Sequence, residues 1–124
     1  MLKIYPDTNF LLIPAQFKVD IFSEIDRIME KAYEIIVIGP VYNELLKLSE
    51  SAERGADKAA ASLAIQLINQ KGLKREETSE GYADDALSRL ASEDALVATQ
   101  DQDLKRRIDG KTITLVKKQH LRII

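Results

Sequence analysis

The stretch Ile35-Ile36-Val37-Ile38-Gly39-Pro40-Val41-Tyr42-Asn43-Glu44-Leu45-Leu46-Lys47-Leu48 changes its period halfway along. Its first four residues are an unbroken β-branched run, the pattern of a strand buried on both faces of a parallel sheet. Gly39-Pro40 then opens a helix, with proline suited to the first helical position. Val41, Leu45 and Leu48 recur at helical spacing as its apolar stripe. A strand that feeds straight into a helix is the repeating unit of an α/β fold.

The same alternation runs outward in both directions. Toward the N-terminus, Leu2-Lys3-Ile4-Tyr5 is a short strand stopped by Pro6, and Ile21, Ile25, Ile28 and Ala32, widened by Phe22 and Met29, repeat as a helix. Toward the C-terminus, a long helix is expected from about Glu53 to Lys71, with Gly72 as its stop. Leu73 to Glu76 suits a charged edge strand. A helix from about Tyr82 to Ser92, a strand over Ala95–Thr99, a short helix over Leu104–Ile108 and a strand over Thr112–Val116 complete the pattern. It predicts one domain over residues 1–124, a three-layer α/β/α sandwich with a five-stranded, mainly parallel sheet.

Composition narrows the chemistry. The 124 residues include no cysteine and one histidine, His120, which excludes thiolate zinc sites, cysteine nucleophiles and paired-histidine metal motifs. No apolar run is long enough for a signal peptide or membrane span, so the cytoplasm is the expected compartment, with no membrane partner. The formal net charge of −2 hides an asymmetry: Leu104–Ile124 carries seven basic residues and one acid, Asp109, on an otherwise acidic body. Such polarity steers a polyanion.

Ligands of open α/β sheets bind beyond the carboxyl ends of the strands. Asp7 follows the first strand and Asp101 follows Ala95–Thr99, although an Asp in such a place also serves as an ordinary helix N-cap. Glu44 lies three residues after Val41 and four before Leu48, so it is expected to point with the apolar stripe. An acid so placed needs a partner, Lys47 or another base, or a cation. Asp84 shares a face with Leu87 and Ala91 and is expected to look inward; Asp85 shares one with Ser88, Arg89 and Ser92 and is expected to face solvent as a first-turn acid. Four inward acids, Asp7, Glu44, Asp84 and Asp101, would then converge at one sheet edge. Their repulsion raises some pKa values unless a cation sits among them. Oxygen-only ligands favour Mg²⁺ or Mn²⁺, and a hard cation held by carboxylates points to phosphoryl chemistry.

Asp7-Thr8-Asn9, Pro40-Val-Tyr-Asn-Glu44-Leu-Leu, Ala83-Asp84-Asp85-Ala-Leu87 with Ala91, and Val97-Ala-Thr99-Gln-Asp101-Gln-Asp103-Leu, in this order and spacing, resemble the PIN domain from Leu2 to about Val116. The stretch Thr99–Ile108 looks closest to the archaeal and eukaryotic rRNA-processing branch, while size and compactness fit the VapC toxin branch. The resemblance implies a metal-dependent ribonuclease in which Asp7, Glu44, Asp84 and Asp101 carry Mg²⁺ or Mn²⁺. It implies that Asp103 assists Asp101 or takes its place, and that Thr8, Asn9 and Thr99 orient the carboxylates. RNA backbone is then expected on Lys105, Arg106 and Arg107, a run that equally suits a helix's last turn. The partners implied are RNA, an antitoxin or a pre-ribosome, and a second copy of the chain. A non-catalytic PIN-like scaffold for RNA or protein is the alternative. One departure stands out: Pro6 replaces the family's usual apolar strand residue, and is expected to shorten the strand by one residue and move Asp7.

Overall fold

The computed structural model describes all 124 residues. Its strands are β1 (Leu2–Pro6), β2 (Tyr33–Ile38), β3 (Lys74–Glu76), β4 (Ala95–Ala98), β5 (Thr112–Val116) and β6 (His120–Ile123). Its helices are α1 (Thr8–Leu11), α2 (Ile13–Phe17), α3 (Ile21–Ile28), α4 (Gly39–Ser51), α5 (Gly55–Gln70), α6 (Ala83–Leu90) and α7 (Gln102–Arg107). They form a three-layer α/β/α fold around one sheet of order β3-β2-β1-β4-β5-β6. The first five strands are parallel, and β6 returns antiparallel to β5. No helix is long and apolar enough to cross a membrane.

From β1 the chain moves outward through β2 and β3, then crosses back to lay β4 on the other side of β1. The direction of winding therefore reverses between β1 and β4, and a crevice opens at their carboxyl ends. Val37, Ile38, Val97 and Ala98 are fully buried where these strands meet the helices. Val41 and Leu45 of α4, Ala86 and Leu87 of α6 and Leu104 of α7 are equally inaccessible, so the helices that leave β2, enter β4 and leave β4 are fixed to one core.

Pro6 does not shorten the central strand. Leu2 N–H bonds Ala32 on the β2 side, whereas Lys3 and Asp7 N–H groups bond Asp94 and Ala98 on the β4 side. By this alternation the donor that Pro6 lacks would have faced β2, whose register with β1 ends at Ile4–Ile35. Pro6 thus stays opposite Ala98, and Asp7 keeps its strand-exit place through a 2.9 Å bond from its N–H to the Ala98 carbonyl.

The sheet has six strands, one more than expected. The extra hairpin turns on Lys117 and Lys118, both left-handed at φ 55° and 57°. Two successive positive φ values form the turn that matches the strand twist, normally the place of Asn-Gly, and lysines give no such signal. Its edge is blunted: Leu121 N–H donates to Glu24 (3.0 Å) and the Leu121 carbonyl accepts from Arg27 (3.1 Å), the two side chains being ion-paired on α3. The Arg27 and Leu121 bonds hold the Glu24 carboxyl down at about 2 from an ordinary 4.5. Its contribution is therefore complete above about pH 4.5 and lost as pH falls toward 2. Glu24→Gln is expected to lower the urea midpoint at neutral pH and to converge with wild type near pH 2; parallel pH profiles would contradict this edge account.

Candidate active site

The crevice is a cleft of about 660 Å³ lined by Asp7, Thr8, Asn9, Glu44, Lys47, Leu48, Tyr82, Ala83, Asp84, Asp85, Asp101 and Arg107. Five carboxylates against two cations make it strongly acidic. Each acid arrives by its own route.

Asp7 is the residue after β1 and is 5% exposed. It caps α1, accepting from Phe10 N–H (2.7 Å) and from the Thr99 hydroxyl. Thr99, fully buried, in turn accepts from Asp101 N–H (2.9 Å). One hydroxyl thus ties the β1 exit to the β4 exit. No cation pairs with Asp7, and burial pushes its carboxyl up to about 6. The bonds from Thr99 and Phe10 oppose that rise, and the charges of Asp84 and Asp101 add to it. Asp101 caps α7 through Asp103 and Leu104 N–H groups, at 2.8 and 3.2 Å. The cap starts α7 at Gln102, two residues earlier than its apolar pattern suggested. At both strand exits the capping role and the cleft position coexist.

Glu44 and Asp84 lie on helix faces that skirt the core. The structure leaves both exposed, because their positions on α4 and α6 fall where the apolar stripe runs out into the cleft. Glu44 is held by the buried Thr8 hydroxyl, not by Lys47. Asp84 accepts no hydrogen bond from the protein, and partial burial beside Asp101 raises its carboxyl despite opposition from Arg107. Asp85, half exposed, is bonded by Arg107 at 2.8 Å.

The predicted basic trio splits three ways. Lys105 is partly buried and its ammonium donates to Thr114 Oγ1 at 2.9 Å; burial lowers its pKa, opposed by the charge of Asp7. Arg106 pairs with Asp103, which is 90% exposed and does not line the cleft. Only Arg107 reaches the cleft wall, where it bonds Asp85 and Ser88. Consecutive residues on a short helix point about 100° apart, so a run in sequence is not a patch in space. Asn9 lines the cleft as an exposed side chain. Asp85, expected to face solvent, also lines the cleft, and of the polar lining residues Lys47 and Tyr82 were not expected there as site residues. The available signal was position: Lys47 follows Glu44 by three residues on α4, and Tyr82 precedes Asp84 by two.

The donor set is chemically suited to a hard divalent cation. Every candidate ligand atom is a carboxylate oxygen, and the buried Asp7 carboxylate lacks an ion-pair partner that a cation would supply. As the side chains stand, no three of them converge closely enough to ring an ion.

A mainly parallel sheet with an acidic cleft at its switch point and acids entering from β1, α4, α6 and the β4 exit defines a PIN-like α/β domain. The model of a family described as "PIN like domain" matches residues 4–122, and the chain belongs to this family. Ribonuclease VapC4 of Methanocaldococcus jannaschii is 36% identical over 119 residues, covering 94% of this chain and 89% of that protein. The solved PIN domain endonuclease Utp24 shares the fold with a TM-score of 0.78 at 24% identity, over 98% of this chain and 90% of that one.

Proposed function

We propose that this protein is a divalent-metal-dependent endoribonuclease that hydrolyses RNA phosphodiester bonds in the acidic cleft. The observation that carries the proposal is the meeting of Asp7, Glu44, Asp84 and Asp101 around one cleft in a PIN-family chain whose relative VapC4 is named a ribonuclease. In this reading these four carboxylates hold Mg²⁺ or Mn²⁺. Glu44 would offer the ion the oxygen that Thr8 leaves free, and Asp84, which accepts no hydrogen bond, would offer both of its own. The chemistry such a cation would supply there is polarisation of a phosphate oxygen and a lowered pKa for an attacking water. The chain's own part is positional. Thr99 fixes the Asp7 carboxylate, Thr8 fixes Glu44, and the Asp101 backbone is tied to the same Thr99 hydroxyl. Asn9, exposed on the wall, is placed to contact substrate. Arg107 holds α7 to α6 through Asp85 and Ser88, which keeps Asp84 beside Asp101. In this reading Asp103 contributes its backbone N–H to the Asp101 carboxylate and no ligand oxygen, since its side chain lies off the cleft wall.

Intact acids favour a nuclease over a non-catalytic scaffold. Between the two cellular settings, the near-full-length similarity to VapC4 favours a VapC-type toxin, restrained by an antitoxin in the cytoplasm, over pre-rRNA processing. The test is cleavage of an end-labelled RNA by purified protein with Mn²⁺, Mg²⁺ or chelator. Metal-dependent internal cutting is expected; chelator-resistant cutting, or none with either metal by folded protein, would overturn the proposal.

A further inference from the structure

Tyr82 is 77% exposed, in a protein whose other tyrosines are largely covered. It holds the N-cap position of α6 and gives no side-chain cap. Ser, Thr, Asp or Asn would satisfy an orphan helix N–H there, so the tyrosine forgoes a capping bond and leaves an aromatic ring in water. The ring is nevertheless carried on an anchored backbone, whose carbonyl accepts from Ala86 N–H at 3.3 Å.

Its place is specific. Beside the acidic cleft runs a second groove of about 350 Å³, between Pro40 and Asn43 on one side and Glu77, Thr78, Glu80 and Gly81 on the other. Glu44, Lys47 and Tyr82 belong to both cavities, so the groove opens directly onto the cleft. Lys47 forms no ion pair with any carboxylate, including Glu44 one turn before it. Of the groove's own carboxylates, Glu80 is matched by Arg89, whereas Glu77 lies across from Lys47's helix beside Gly39 with no ion pair. An exposed ring and an unpaired ammonium therefore share one wall, next to the carboxylates proposed to act on a phosphodiester.

We infer that Tyr82 and Lys47 form a nucleotide subsite flanking the cleft: one unpaired base of the substrate strand stacks on the Tyr82 ring while Lys47 holds a neighbouring phosphate. The inference rests on the ribonuclease reading and adds to it a recognition element outside the acids. A base within a duplex already has both faces stacked, so only an unpaired residue can use the ring. Stacking accepts any base, because each has a π-face, and Lys47 contributes position and salt dependence without reading sequence.

The test is steady-state cleavage of an unpaired oligoribonucleotide by wild type, Tyr82→Ala, Tyr82→Phe and Lys47→Gln, with thermal melts as folding controls. Tyr82→Ala is expected to raise KM about tenfold with kcat within about twofold, and Tyr82→Phe to behave as wild type. Lys47→Gln is expected to reduce the salt dependence of KM by about one phosphate contact. A series with one abasic residue moved along the strand makes the cycle decisive. One position should raise KM for wild type and have no further effect on Tyr82→Ala. An unchanged KM for Tyr82→Ala, or a loss not coupled to any one abasic position, would overturn the subsite, and would assign the ring to a protein partner, while leaving the nuclease standing. No cleavage by wild type would remove both.

Discussion

Asp84→Asn is expected to lower metal-dependent RNA cleavage about 100-fold or more without loss of fold, while Asp85→Asn stays within a few-fold of wild type. The two residues are adjacent in sequence and both are accessible, so exposure alone does not separate them. Their partners do. Asp84 receives no hydrogen bond or ion pair from the protein, and its carboxyl is raised by partial burial and by Asp101 across the cleft. Its oxygens are free for a cation. Asp85 already spends one oxygen on Arg107 in a half-exposed pair. Such pairs contribute little to stability, and in Asp85→Asn the amide oxygen and Ser88 can still accept from Arg107, so α7 stays held to α6. Cleavage rates of the two variants with Mn²⁺, beside wild type, check the assignment. Equal losses, or a loss confined to Asp85→Asn, would move the proposed ligand one residue along α6.

How far the sequence led can be judged from particular residues. Ile35 to Pro40 carried the α/β class because a β-branched run and a helix-opening proline are both local signals, and the strand and helix appear there. The cleft acids were legible because Asp7 and Asp101 lie just after strand exits, Glu44 and Asp84 sit within the first two turns of helices, and the fold class says where strand exits meet. Helices α1 and α2 gave no periodic signal, being four and five residues long; the first exists largely because Asp7 caps it. Strand β6 depends on two left-handed lysines and on an α3 ion pair nearly a hundred residues away, neither of which a local pattern records. The basic run is not one patch for a related reason. The charges are contiguous along the chain, whereas the helix sends Lys105 to Thr114, Arg106 to Asp103 and Arg107 to Asp85. Helical spacing also treated the Glu44 and Asp84 faces as inward, when a stripe at the end of a sheet faces a cleft as readily as a core.

Asp7→Asn is expected to make the metal-free protein more stable at pH 7 while removing its activity. The Asp7 carboxyl is raised from 3.8 to about 6, chiefly by burial. The folded state therefore binds a proton between roughly pH 4 and 6 that the unfolded state has released, and stability falls as pH rises through that window. Above it the folded chain carries a buried anion at a penalty on the order of 3 kcal/mol, from about 1.4 kcal/mol per pKa unit. Asparagine is nearly isosteric and neutral. Its carbonyl can still accept from Phe10 N–H and its amide can donate to the Thr99 hydroxyl, so the α1 cap survives. The check is chemical denaturation of both proteins in chelator from pH 4 to 8. The curves should lie close at the acid end and separate with rising pH, the variant ending more stable by a large part of that figure. Divalent cation should then raise the wild-type midpoint and barely move the variant, since a cation supplies to Asp7 the charge the fold withholds. A variant less stable than wild type at pH 7 in chelator would mean that the capping and Thr99 bonds outweigh the burial of charge. The carboxylate would then be structural, kept for α1. The opposite result would mean that the fold tolerates an unfavourable anion at its switch point, which is the mark of a group retained for chemistry.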